Sequence, residues 1–347
     1  MALTILALVI ALTSLTPVGY LLLRGGLSPD LLIHELRSPT TGTLIVHTIT
    51  LTACVTAVCI VLGVSLALLV VRTDLPLRSL WTVLFALPLG IPAFVTSYTW
   101  VATGYRVMPQ STFIYGLRGA VIVLSLAVYP YVYLPVVAAL RGLDPAHEET
   151  ARALGSNAST AFFRVTLPQL RTAIAGGSLL IALHMMAEFG ALELLRYQTL
   201  TTAIVQRVTV LSAPEAARTL SVVLALGALI LLGGDWLLRG HAAPTRTGAG
   251  AARPATPWRL GALKPFWLLV CLLLMALALG VPLYSMVDGL VNALTHSGAA
   301  IDWTELSASA SYTAQTSLAT ALVATLVALP VSLLAVRFPG WIATLSE

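Results

Sequence analysis

Few side chains in this 347-residue chain could do chemistry: Asp and Glu together number 14, His 6 and Cys 3. His184 and Glu188 stand four residues apart in an apolar stretch, so on a helix both project from one face. Such a pair serves either as a buried hydrogen-bonded couple or as a polar step lining a path for a cationic cargo. The densest polar cluster is Arg141 to Arg171, RGLDPAHEETARALGSNASTAFFRVTLPQLR, with adjacent carboxylates at Glu148 and Glu149. Cys54, Cys59 and Cys271 lie in apolar runs without metal-ligand spacing and read as packing residues. No three-ligand metal constellation and no nucleophile–base arrangement occurs, so neither a catalytic site, a resident metal nor a cofactor is expected.

The elements that must position these residues are apolar. Hydrophobic residues make up 58% and charged residues 10% of the chain, against roughly 25% charged in ordinary soluble domains. The apolar residues come in runs of about 20, the length that crosses a hydrocarbon core of about 30 Å as helix. Polar–apolar alternation of the kind barrel strands show is missing. The expected fold is therefore an all-α, polytopic transmembrane bundle of about eight spans. These run from Leu3 to Leu23, Leu44 to Val71, Leu80 to Val101, Ala120 to Leu140, Ala173 to Leu195, Leu220 to Leu238, Phe266 to Met286 and Tyr312 to Val336. Leu3 to Leu23 lacks a basic n-region and counts as a span rather than a secretory signal. Pro88, Pro92, Pro130 and Pro135 predict kinks in the third and fourth spans.

Arg72, Arg78, Arg141, Arg152, Arg164, Arg171, Arg239, Arg246, Arg253, Arg259, Lys264 and Arg337 fall on one side of the membrane. A smaller set, Arg24, Arg37, Arg106, Arg118, Arg196, Arg207 and Arg218, falls on the other. The excess predicts a cytoplasmic N-terminus and a cytoplasmic Arg141–Arg171 loop. The basic residues form no block that would bind nucleic acid.

Residues 240–264 are rich in Ala, Pro, Gly, Thr and Arg and read as a flexible cytoplasmic linker. Beyond it, Ser317 to Leu333 (SLATALVATLVALPVSL) aligns without gaps on Thr50 to Leu66 (TLTACVTAVCIVLGVSL), and each is followed by an arginine, Arg337 and Arg72. The chain thus reads as a first half with six spans and one polar loop, 1–239, the linker, and the incomplete start of a second half, 265–347.

Within the polar loop, Asp144-Pro145 suits a helix start and Glu148 and Glu149 face the positive end of its dipole. Gly155 can end that helix in a left-handed conformation and Ser156 can cap the next. Ala151, Leu154, Phe162, Phe163, Val165 and Leu167 supply apolar contacts to this helix-turn-helix. It either packs under the bundle or docks a cytoplasmic partner.

Glu149-Thr150-Ala151, then Gly155, then Val165-Thr166-Leu167-Pro168 resembles the EAA loop of ABC importer permeases, with Thr150 for the first Ala and Val165 for Ile. The resemblance implies a type I permease fold in a bacterial inner membrane. It implies a coupling helix seated on a cytoplasmic ATP-binding subunit dimer, with roles for Glu149, Ala151, Gly155, Val165, Leu167 and Pro168. It further implies an extracytoplasmic solute-binding protein and transport by alternating access. Glu188-Phe189-Gly190, with Thr201 and Thr202 beyond, resembles the ferric-iron branch, with thiamine and polyamine cargoes as alternatives. A P-loop needs GxxxxGK[ST], and the single lysine, Lys264 in GALKP, does not supply it, so ATP hydrolysis would reside on another polypeptide. The rival reading is an ion-gradient-driven transporter using Glu188, Glu193 or Asp235, although Asp235 lies near Arg239 and reads as half of a boundary ion pair. A receptor or scaffold would need a soluble sensing domain, for which no sizeable segment is present.

Overall fold

The computed structural model describes residues 35–144, 146–239, 257–296 and 302–337, together with positions 9–10, 12–13, 15–16, 19–20 and 33. Regular structure among the described residues is helical, with one isolated parallel backbone bridge between Thr73 and Trp258. Helices satisfy each N–H and C=O within the segment, which an apolar environment demands. We number them α1 (Pro39–Arg72), α2 (Arg78–Leu84), α3 (Ala93–Val107), α4 (Gly116–Val128), α5 (Pro130–Gly142), α6 (Ala146–Ala153), α7 (Ala158–Ala161) and α8 (Leu167–Gln169). They continue as α9 (Arg171–Ala187), α10 (Gly190–Leu194), α11 (Leu200–Thr209), α12 (Pro214–Arg239), α13 (Lys264–Met275), α14 (Val281–His296) and α15 (Trp303–Arg337). The chain divides into a unit of Asp30–Asp288 and a unit of Met1–Pro29 with Gly289–Glu347. In the latter, α15 is exposed over residues 303–329.

In the larger unit α1 is the mast, 34 residues long with Pro39 in its first turn, or roughly 50 Å at 1.5 Å per residue. It packs against α4, α5 and α9 around the fully buried Leu51, Val55, Leu124, Tyr129, Tyr133 and Ile181. Where helices meet in lipid, small residues decide how near the backbones come. A Cβ on Gly63 would lie 2.9 Å from Val132 Cβ and from the Tyr133 nitrogen, and one on Gly177 would lie 2.5 Å from the Tyr131 carbonyl oxygen. Glycines in α1 and α9 thus let both helices close on the same turn of α5. Tyr133 then donates its hydroxyl to the Thr82 carbonyl (3.2 Å) and meets Phe85 edge-on, tying α5 to the segment after α1.

Among the described residues five helices are long and apolar enough to cross a membrane, or up to seven if each of two bent pairs counts as one span. The expected span Leu3–Leu23 and the linker residues 240–256 lie outside the described residues save for scattered positions of the former. Leu80–Val101 is not a gently kinked helix: Arg78–Gly90 and Ala93–Val107 meet at 91°. Pro92 has no N–H to continue the ladder and holds Ile91 extended (φ −100°, ψ 120°), which breaks the helix outright. Ala173–Leu195 is likewise divided, because α9 stops at Ala187 and Glu188 is extended (φ −72°, ψ 125°) ahead of α10.

The close approach at Gly177 has a measurable consequence. Gly177→Ala must displace α5 backbone and should destabilise the purified protein by about 1–3 kcal/mol, as overpacked cores do. Gly42→Ala, at an α1 position with open space around it, should be neutral or stabilising by up to ~1 kcal/mol. Thermal melting in one detergent compares them, and equal melting temperatures would remove the close-packing account.

Candidate functional site

The polar loop is built by its own caps. Asp144 Oδ1 accepts the Ala146 N–H (3.0 Å) at the start of α6. At its end Ser156 N–H reaches the Ala151 carbonyl (3.1 Å) and Gly155 N–H the Arg152 carbonyl (3.0 Å), with Gly155 at φ +93°. That paired pattern is the Schellman stop, and it needs a residue that tolerates the left-handed region. The cap of α7 is Asn157, not Ser156: Asn157 Oδ1 accepts the Thr160 N–H at 2.7 Å. Ser156 is spent on closing α6, and Asn157 stands three residues before the free donor it serves.

From α7 the helix widens through a π-helical segment, Phe162–Thr166, into α8, then bends 57° at Leu170 into α9. Pro168 cannot donate to the preceding turn, and the widened turn lies immediately before it. Ala151, Phe162, Val165 and Leu167 are half-buried as expected. Leu154 and Phe163 are not inward contacts, being 84% and 63% exposed, and together with the exposed Glu149, Gly155 and Pro168 they face outward from the loop.

What fixes the loop is a residue that spacing alone passed over. Glu148, 6% exposed, lies with its Oε2 3.4 Å from Nη1 of Arg72, itself 4% exposed and the last residue of α1. Thr166 donates its hydroxyl to the same carboxylate oxygen (3.3 Å), so the acid binds both arms of the loop to the foot of the mast. The available signal was Arg72 itself: an arginine closing an apolar helix with no acid on that helix needs a partner from elsewhere.

The second set of expected residues lies around the break after α9. His184 Nε2 is 3.6 Å from Glu188 Oε2, and the His184 ring tilts against Tyr131 with centroids 5.9 Å apart. Glu188 is past the helix end rather than on its face, and its Oε1 caps α10 by accepting the Ala191 N–H (2.9 Å). Thr201 donates to the Met186 carbonyl, closing the end of α9, while Thr202 accepts the Thr199 N–H (2.8 Å) in a capping box. Glu193 is exposed. Among the described residues no three His, Cys, Asp or Glu side chains converge where they could hold a metal.

Residues 59–239 match the family described as the binding-protein-dependent transport system inner membrane component. The Fe(3+)-transport system permease protein FbpB 2 of Haemophilus influenzae is 36% identical over 73% of this chain. The chain spans about half of that relative, 49% of its length. The molybdenum transport system permease protein ModB of Escherichia coli is 29% identical over 51% of the chain and 84% of its own length. The sulfate transport system permease protein CysT of Salmonella typhimurium is 27% identical over 49% of the chain and 67% of its own length. The matched region contains the loop, its ion pair with Arg72 and the broken helix after α9. This chain belongs to the family of binding-protein-dependent transport system inner membrane components, the permease subunits of ABC importers.

Proposed function

We propose that the chain is the membrane half of an ATP-driven importer, worked from the cytoplasm by a separate ATP-binding subunit dimer that seats on the Arg141–Arg171 loop. The observation that carries this is the division of labour within the loop. Leu154, Gly155 and Phe163 face outward, while Glu148 and Thr166 tie the same unit to Arg72. A partner pressing on the tip therefore moves α1 through a buried ion pair. The excess of arginine on the loop side supports a cytoplasmic loop and N-terminus in a bacterial inner membrane. An extracytoplasmic binding protein would deliver cargo to the opposite face, and the helices broken at Pro92 and Glu188 would alternate access between the sides.

For cargo, ferric iron is the reading with most support. The relative named for Fe(3+) transport matches more of this chain, at higher identity, than those named for molybdenum and sulfate. His184 and Glu188 also offer an imidazole and a carboxylate, of which the carboxylate suits a passing cation and repels an oxyanion.

Three outcomes follow. Glu149→Arg at the exposed face, or Gly155→Asp at the left-handed turn, should abolish co-purification with the ATP-binding subunit while leaving membrane insertion intact. Retention of binding and transport by both variants would sink the coupling assignment.

Glu148→Ala strands the Arg72 charge and should cost about 3–5 kcal/mol locally, read as protease cleavage within residues 146–169 of the detergent-solubilised protein. The exchange Arg72→Glu with Glu148→Arg should restore resistance, and a pattern like the unsubstituted chain in Glu148→Ala would show that the pair anchors nothing.

Proteoliposomes holding the full complex and its binding protein should take up labelled ferric iron, but not molybdate or sulfate, and only with ATP. Uptake that ignores ATP and collapses with a proton or sodium gradient would favour a secondary transporter.

A further inference from the structure

The last residues of the expected linker, 257–264, do not run free beneath the bundle. Trp258 N–H donates to the Arg72 carbonyl (2.7 Å), and Asp74 N–H donates to the Trp258 carbonyl (3.1 Å), which makes the parallel bridge at Thr73. Asp74 then uses both carboxylate oxygens: Oδ1 accepts the Leu260 N–H at 2.8 Å and Oδ2 lies 2.7 Å from Lys264 Nζ. The Leu260 N–H first, and Lys264 beside it, hold the Asp74 carboxyl below its ordinary range. Leu260 precedes the single turn Gly261–Leu263, and Lys264 is the first residue of α13. On its other side the Trp258 ring meets Phe162 edge-on, centroids 6.2 Å apart, and Phe162 in turn meets the exposed Phe163 at 5.1 Å.

Arg72 is thus held twice, by side chain to Glu148 and by main chain to Trp258. We infer that Asp74, Trp258 and Lys264 are positioning residues that clasp the start of α13 to the coupling loop, so that loop displacement reaches α13 directly at the foot of the bundle. An exposed ion pair alone would be worth little. Here it fixes a segment already held by two main-chain bonds and an aromatic edge, and the combination gives the segment one register. The relay rests on the coupling role proposed above; the clasp itself does not.

Two measurements test it. In a chain with Cys54, Cys59 and Cys271 replaced by Ala and a protease site inserted between Gly248 and Ala249, Thr73→Cys with Trp258→Cys should oxidise to a disulfide. The bond should hold the two cleaved fragments together on a denaturing gel; separation of the fragments would overturn the clasp. The second uses the complete complex in proteoliposomes, with labelled ferric ion carried by the binding protein. Trp258→Ala and Asp74→Ala should lower cargo moved per ATP hydrolysed at least tenfold, with basal ATPase and co-purification of the ATP-binding subunit unchanged. Trp258→Phe, which keeps an aromatic edge against Phe162, should preserve the ratio. An unchanged ratio in the alanine variants, or equal loss in Trp258→Phe, overturns the relay. If the unsubstituted chain fails to bind an ATP-binding subunit, the coupling role falls and the relay with it, while the disulfide still reports on the clasp.

Discussion

A buried pair of charges at the foot of the mast organises this protein. Arg72 and Glu148 are both withdrawn from water, which is costly for each charge alone and tolerable only because each supplies the other with a partner. The constraint is directional. An arginine at the end of a 34-residue apolar helix can be buried only if an acid is carried to it from another segment. The acid comes from the loop between α5 and α9, so those helices must return to the same end of α1. Gly63 and Gly177 make that return possible by letting α1 and α9 close on one turn of α5.

The irregular backbone follows the same logic of satisfied groups. A helix broken inside an apolar bundle exposes carbonyls and N–H groups that lipid cannot pair. After α9 the groups are met locally: Glu188 takes the Ala191 N–H and Thr201 gives to the Met186 carbonyl. The carboxylate therefore has structural work on one oxygen while the other faces His184. Under the cation cargo proposed above, any pull on Oε2 would be felt at the start of α10.

Much of this was legible in the chain, and the exceptions share a cause. Apolar runs located the helices because burial follows composition, and Asp144 and Gly155 announced the ends of α6 because capping is chemistry between near neighbours. Pro92 signalled a disturbance, but whether a proline bends a helix or breaks it depends on what holds the residue before it, here an extended Ile91. The choice of Asn157 over Ser156 as cap turned on one residue of register, set by how the preceding Schellman turn closes. The pairing of Arg72 with Glu148, and of Trp258 with Thr73, joins residues far apart in sequence. Composition assigned 257–264 to the linker because Ala, Gly and Pro dominate residues 240–264 taken together, while two main-chain bonds and the Asp74 carboxylate hold that last short stretch.

The neighbouring acids Glu148 and Glu149 show why the loop needs both. Successive helical residues point about 100° apart, so at the edge of a buried face one can turn inward while its neighbour stays in water. Glu148 is buried and anchored, and Glu149 is exposed. A loop that only packed would have no use for a free acid beside the anchored one. It would also gain nothing from an exposed leucine beside a left-handed glycine turn or from an exposed phenylalanine on the other arm. A loop that only docked would have no need to bury an arginine beneath it. On the coupling role proposed above, adjacent carboxylates with opposite surroundings are what a rigid element requires to take a load on one face and deliver it through the other.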